Sequence, residues 1–420
     1  TMPEFLERRY NPQSRTILSV ISLVSYVLTK VAVTVYAGGL VFQQVFGIKE
    51  LWGIDFFWIA AIGLVVLTAL YTIFGGMKSV LYTSVLQTPI LLLGSLIILV
   101  LGFKELGGWD EMMRVCGAVT VNDYGDTMTN LIRSNDDANF PWLGALIGSA
   151  IIGFWYWCTD QFIVQRVLSG KNEKEARRGT IFGAYLKLLP VFLFLIPGMI
   201  AFALHQKYIG AGGEGFLPML ANGTANADAA FPTLVAKLLP AGVKGLVVCG
   251  ILAALMSSLA SLFNSSAMLF TIDFYKRFRP ETPEKKLVGI GQIATVVIVI
   301  LGILWIPIMR SVGDVLYTYL QDVQSVLAPG IAAAFLLGIC WKRTSAQGGM
   351  WGLIAGMIIG LTRLGAKVYY SNAGEVADST FKYLFYDMNW LFFCGWMFLF
   401  CIIVVIVVSL ATEAPTAEKI

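Results

Sequence analysis

The stretch Val243-Lys244-Gly245-Leu246-Val247-Val248-Cys249-Gly250-Ile251-Leu252-Ala253-Ala254-Leu255-Met256-Ser257-Ser258-Leu259-Ala260-Ser261-Leu262-Phe263-Asn264-Ser265-Ser266 decides how this chain is read. It is apolar and long enough to cross a bilayer as a helix, which takes about 20 residues. Yet it carries adjacent hydroxyls at Ser257 and Ser258, and another at Ser261 one turn on. On a helix Ala254, Ser257 and Ser258 share a face, because they stand at i, i+3 and i+4. Hydroxyl oxygens and a freed backbone carbonyl are hard ligands that suit a small hard cation. Serines in a spanning helix also allow close helix packing or bond back to the i−4 carbonyl. Both readings stand on the residues alone.

Working outward, the chain of 420 residues is 57% hydrophobic and 13% charged. Its mean hydropathy is +0.75. A soluble domain carries about 25% charged residues, so an all-α polytopic membrane protein is expected. Apolar windows fall at about 15–47, 51–74, 79–103, 141–168, 179–205, 243–272, 287–310, 316–341, 346–368 and 389–412, which predicts roughly ten spanning helices. Turns are predicted at Gly75-Gly76, Gly107-Gly108 and Gly348-Gly349. Residues 1–412 read as one transmembrane domain and 413–420 as a polar tail. The opening residues Thr1-Met2-Pro3-Glu4-Phe5-Leu6-Glu7-Arg8-Arg9-Tyr10 read as a loop between helices, which suggests a chain truncated at its N-terminus.

Charge sets the expected topology. Short connections carry the cations, among them Arg8, Arg9, Arg15, Arg177, Arg178, Lys285 and Lys286. They alternate with the less basic connections. By the positive-inside rule they are cytoplasmic, and ten spans bring the C-terminus to the same side. Six cysteines form no CxxC, and His205 is the only histidine, so neither a thiolate metal site nor chemistry on a histidine cluster is expected. The sequence carries no nucleotide-binding or hydrolase fingerprint in a suitable context, and neither an enzyme nor a nucleic-acid partner is expected.

Ionisable groups inside spans are costly and point to function. Lys30 lies mid-way along the first window, where it either lines a polar site or snorkels. Lys187, in Ala184-Tyr185-Leu186-Lys187-Leu188-Leu189-Pro190, faces the same choice near an inner helix end. Asp322 has Gln321 and Gln324 close by, and those amides serve either a solute or interhelical contact. Asp273 is expected at an interface. In Trp155-Tyr156-Trp157-Cys158-Thr159-Asp160-Gln161 aromatic rings adjoin hydrogen-bonding groups. Sugars present the complementary mix of C–H faces and hydroxyls. An interfacial aromatic belt explains the rings but not Thr159, Asp160 and Gln161.

These residues together resemble the sodium/glucose cotransporter branch of the solute:sodium symporter family. Trp155-Tyr156-Trp157-Cys158-Thr159-Asp160-Gln161-Phe162-Ile163-Val164-Gln165-Arg166, Tyr185-Leu186-Lys187-Leu188, Leu255-Met256-Ser257-Ser258-Leu259-Ala260-Ser261-Leu262-Phe263-Asn264-Ser265, Phe270-Thr271-Ile272-Asp273-Phe274-Tyr275 and Ala334-Phe335-Leu336-Leu337-Gly338-Ile339-Cys340-Trp341-Lys342-Arg343 carry the likeness in order. It implies a LeuT-like inverted repeat of five plus five helices, with alternating access. It implies sodium-coupled uptake of a monosaccharide across the plasma membrane, or of myo-inositol or another small polar solute. A sugar sensor or channel is a further alternative. It also implies that a leading helix and the first two core helices are missing, so that this chain by itself binds sodium poorly.

Residue by residue, the likeness assigns the Ala254 carbonyl, Ser257 and Ser258 to sodium. It assigns Lys187 and Gln321 to sugar hydroxyls, Tyr156 to an inner aromatic gate with Trp157 beside it, and Lys30 to the lining of the site. Two positions depart from the family. Its Tyr-Thr-Asp reads Tyr82-Thr83-Ser84 here, and Ala260 stands where relatives with a second sodium site have a hydroxyl. Both departures imply one sodium per sugar.

Overall fold

The structure is a computed structural model that describes residues 1–420 apart from 221–222, 313–314, 374–376, 417–418 and 420. The main elements are α1 (Pro12–Phe46), α2 (Phe56–Leu106), α3 (Trp142–Thr159), α4 (Glu173–Gly210), α5 (Ala241–Phe278), α6 (Glu284–Val312), α7 (Leu316–Cys340), α8 (Ala346–Asn372) and α9 (Trp390–Ala411). Among the described residues nine helices are long and apolar enough to cross a membrane, with Phe56–Leu70 a shorter apolar stretch. The expected all-α polytopic architecture is present. Outward apolar side chains such as Leu304 (65% exposed) belong against lipid rather than water.

The turn expected at Gly75-Gly76 is absent. The backbone runs helically through it, so α2 is one helix of 51 residues. At 1.5 Å per residue that is ~76 Å, well over twice the ~30 Å hydrocarbon core, and it takes in the predicted window 79–103 whole and the window 51–74 from Phe56 on. Gly348 and Gly349 likewise do not form a turn. Ser345 caps α8 by accepting from the Gly348 N–H at 3.0 Å, and both glycines lie in the first helical turn. Their lack of a side chain is used for contact: a Cβ on Gly349 would lie 2.5 Å from the Tyr10 ring.

The chain separates into two compact units. The first comprises Thr1–Ala32, Arg133–Gly170 and Ser265–Ile420. Its core gathers Leu6, Tyr10, Leu18, Ile151, Trp155, Phe335, Leu353 and Leu391, all buried. There α7, α8 and α9 pack on one another, and α7 and α8 touch at glycines. A Cβ on Gly356 would stand 2.7 Å from the Gly330 Cα, the close approach that small residues permit between helices in lipid. The second unit comprises Val33–Ile132 and Lys171–Asn264. Its core gathers Ile98, Leu106, Met112, Ile200, Leu204, Leu234 and Val247.

Wide π-turns interrupt or end several spans, at Tyr26–Val31, Trp155–Thr159, Val191–Leu195 and Leu269–Tyr275, and a further one, Tyr383–Asp387, lies in the connection between α8 and α9. Such turns release backbone groups from the regular ladder and recur at functional sites. Lys30, Tyr156 and Trp157 lie inside two of them, and Asp273 in a third.

Candidate substrate and cation sites

In the first unit α3 ends in the turn Trp155–Thr159, closed by a bond from the Asp160 N–H to the Trp155 carbonyl at 3.1 Å. Asp160 then takes an extended backbone (φ −76, ψ 120) and caps the following helix Gln161–Leu168. Its Oδ1 accepts from the Phe162 N–H at 3.1 Å and from the Tyr26 hydroxyl at 3.0 Å. Its Oδ2 is ion-paired with the buried Lys30 ammonium. The sequence motif is therefore a break in a spanning helix, pinned by two residues of α1.

The aromatic rings divide by exposure. Trp155 is buried, Tyr156 is half-buried and Trp157 is 49% exposed. The Tyr156 and Trp157 rings meet edge to face at 5.1 Å. The Tyr156 hydroxyl has no hydrogen-bond partner among the described residues. Gln321, on α7, is half-buried, and its amide likewise has no partner among the described residues. A polar group left without a partner on an aromatic ring suits a hydroxylated solute, and Tyr156 offers one beside the Trp157 ring.

Asp322 does something else. Its Oδ2 accepts from Lys367 Nζ at 2.5 Å, and Arg363 Nη2 stands 3.7 Å from its Oδ1. Arg363 is fully buried, donates to the Met388 carbonyl at 2.6 Å and lies 4.0 Å over the Phe393 ring. The sequence reading missed Arg363 and Lys367. Their i, i+4 spacing inside a span was the available signal, since two cations on one helix face in lipid require a carboxylate. Asp273 is buried in an ion pair with Arg15 at 2.5 Å.

In the second unit α4 breaks at Lys187. Pro190 lacks an N–H and its ring crowds the carbonyl four residues back, so the first helical segment stops at Leu186. Lys187 caps that segment and is exposed. On α5 the Ser257 and Ser258 hydroxyls differ. Ser257 is buried and bonded to the Ser84 hydroxyl of α2 at 2.6 Å, while its carbonyl accepts from Ser261 Oγ at 2.9 Å. Ser258 is half-buried, with no partner among the described residues. Ala254 lies one turn before it, half-buried, and Ala260 is fully buried. Neutral oxygens of this kind fit a monovalent hard cation. The substrate candidates Lys30, Tyr156, Trp157 and Gln321 thus belong to the first unit, and Lys187 with the cation candidates to the second.

Comparison with known proteins identifies the lineage. The model of the sodium:solute symporter family matches residues 1–356. The human sodium/myo-inositol cotransporter 2 is 35% identical over 100% of this chain and 63% of its own length. The bovine sodium/mannose cotransporter is 37% identical over 100% of this chain and 71% of its own. The ovine sodium/glucose cotransporter 1 is 37% identical over 100% of this chain and 64% of its own. The chain thus spans somewhat under two thirds of the human and ovine relatives. A solved Na+-coupled sialic acid symporter, in a substrate-bound outward-open state, superposes with a TM-score of 0.71 at 22% identity. That match covers 99% of this chain and 78% of the other, and the shared fold is the LeuT-like one. With its membrane spans, its helical order and its motifs all in agreement, this chain belongs to the sodium:solute symporter family.

Proposed function

We propose that this protein carries out sodium-coupled symport of a monosaccharide of the glucose or galactose type into the cell, by alternating access, with one sodium per sugar. The observation that carries the reading is the likeness over the whole chain to cotransporters of glucose, mannose and myo-inositol. Sodium binds first at the Ala254 carbonyl, Ser257 and Ser258, and favours the outward-open state. Its differential affinity for the two states supplies the coupling. The sugar meets Tyr156, Trp157 and Gln321, with Lys187 as a further hydroxyl partner. Lys30 belongs to this set from behind the Tyr156 ring, whose centre is 5.2 Å from its ammonium. Tyr156 moves aside on the inward step, and no bond of the sugar is made or broken.

Residues 1–412 act as the transporter domain in the plasma membrane, and 413–420 as a cytoplasmic tail with the C-terminus inside. Likeness to a sodium/myo-inositol cotransporter at 35% identity favours a polyol as the second reading. Uptake of labelled glucose, galactose, mannose and myo-inositol into proteoliposomes, with and without a sodium gradient, tests both. Concentrative sodium-driven uptake of a hexose is expected. Preference for myo-inositol selects the second reading. Solute binding without concentrative uptake, or chemical turnover of the solute, sinks both.

A further inference from the structure

Lys30 is an odd candidate for a sugar ligand, because nothing of its charge is available. The residue is 8% exposed, and its ammonium is paired with Asp160 Oδ2. Four aromatic rings surround that ammonium, with centres at 4.3 Å (Phe162), 4.7 Å (Tyr26), 5.2 Å (Tyr156) and 5.9 Å (Trp155). Ring faces attract cations, and boxes of several rings with a carboxylate recognise ammonium groups. The walls of this box are themselves tied together. Tyr26 donates to Asp160 Oδ1 at 3.0 Å and accepts from the Phe162 N–H at 3.0 Å. Three of the four rings, and the carboxylate, come from the break between Trp155 and Phe162. The cation comes from α1, by way of its own π-turn.

We propose that Tyr26, Trp155, Tyr156, Phe162 and Asp160 form an ammonium site that the chain fills with its own Lys30, and that this tethered cation holds the Tyr156 ring in place. Lys30 is then a positioning residue that acts through Tyr156, not a sugar ligand. This rests on the reading of Tyr156 as the inner gate. The physical reason is the coupling of charge to ring position. A buried Asp160 without a cation is uncompensated, and a box without its cation loses the attraction that draws four rings inward.

The test is chemical rescue in the intact protein. Lys30→Ala empties the box, and n-propylammonium supplies the missing cation, with n-propanol as the neutral control of similar shape. Tryptophan fluorescence in detergent reads the box directly, since Trp155 is one of its walls. A saturable change with the amine, absent with propanol and absent in wild type, is expected. Sodium-free efflux of labelled sugar from preloaded proteoliposomes reads the gate. Lys30→Ala is expected to leak several-fold faster and to lose turnover with little change in sugar KM, and the amine is expected to reverse both. If the amine has no saturable effect on fluorescence, the ammonium site is wrong. If Lys30→Ala raises sugar KM with turnover unchanged, Lys30 touches the sugar and the proposal is overturned. The fluorescence arm holds whether or not the protein transports sugar, so its failure is separate from failure of the transport reading. Should Lys30→Ala not fold, the charge-neutral pair Lys30→Met with Asp160→Asn replaces it. A gate as tight as wild type in that pair overturns the proposal, and a leak that the amine leaves unchanged upholds it.

Discussion

The Ser84 and Ser257 hydroxyls lie 2.6 Å apart, one on α2 and the other on α5. Either hydroxyl can be the donor, and in either direction the bond fixes the rotamer of the Ser257 hydroxyl. Ser84 therefore orients a proposed sodium ligand from a second helix. Ser84→Ala removes one neutral hydrogen bond, worth about 1 kcal/mol. The sodium concentration for half-maximal uptake is expected to rise about two- to tenfold. Ser84→Thr, which keeps the hydroxyl, stays near wild type. Sodium titrations of uptake at saturating sugar decide it, and equal values for Ala and wild type refute it.

Ser258 presents the other hydroxyl, half-buried and with no partner among the described residues. Bonds to charged partners are worth about 1.5–3 kcal/mol. Ser258→Ala is expected to weaken sodium activation by about tenfold or more. Unchanged sodium affinity would move the ion elsewhere.

Tyr156 contributes its ring rather than its hydroxyl to the box around Lys30. Tyr156→Phe keeps the ring and is expected to retain a tight gate in sodium-free efflux, whereas Tyr156→Ala leaks. A leaky Phe variant would shift the gating role to the hydroxyl.

Asp322 balances two cations, and Asp322→Asn strands both Lys367 and Arg363. Breaking a buried pair on one side costs about 3–5 kcal/mol. Thermal unfolding in detergent is expected to fall clearly for Asp322→Asn, with partial recovery when Lys367→Met is added. A single variant as stable as wild type would mean that Asp322 is not the structural counter-charge.

Gly356 and Gly330 set the spacing of α7 and α8. Gly356→Val places a side chain where another backbone already stands, and overpacking of this kind costs about 1–3 kcal/mol. Reduced thermal stability, larger for Val than for Ala, is the expected result. Tolerance of Val would show that α8 moves freely against α7.

The membrane class, most of the spans and the family were legible in the sequence because they depend on sums and on order. Twenty apolar residues in a row have few other places to go. The motif from Trp155 to Arg166 marked its own importance through polar groups where lipid would expect none. Gly107-Gly108 does end α2, in the left-handed conformation, but Gly75-Gly76 and Gly348-Gly349 misled, because glycine signals a turn and a close helix contact equally well. Gly349 proves to lie against Tyr10, far away along the chain. Lys30 was visible as a buried cation, but its counter-charge was not, since Asp160 stands 130 residues away.

By itself, then, the sequence determined the solvent, the helical repertoire and the residue types at hand, since hydropathy and local spacing are properties of one strand of chain. Tertiary structure decided the partners. It gave Lys30 to Asp160 and four rings, Asp322 to Lys367 and Arg363, and Ser257 to Ser84. Electrostatic and hydrogen-bond pairing act over a few ångströms in space and carry no trace of sequence separation. Only folding shows which buried charge is balanced and which polar group is left for a solute or an ion.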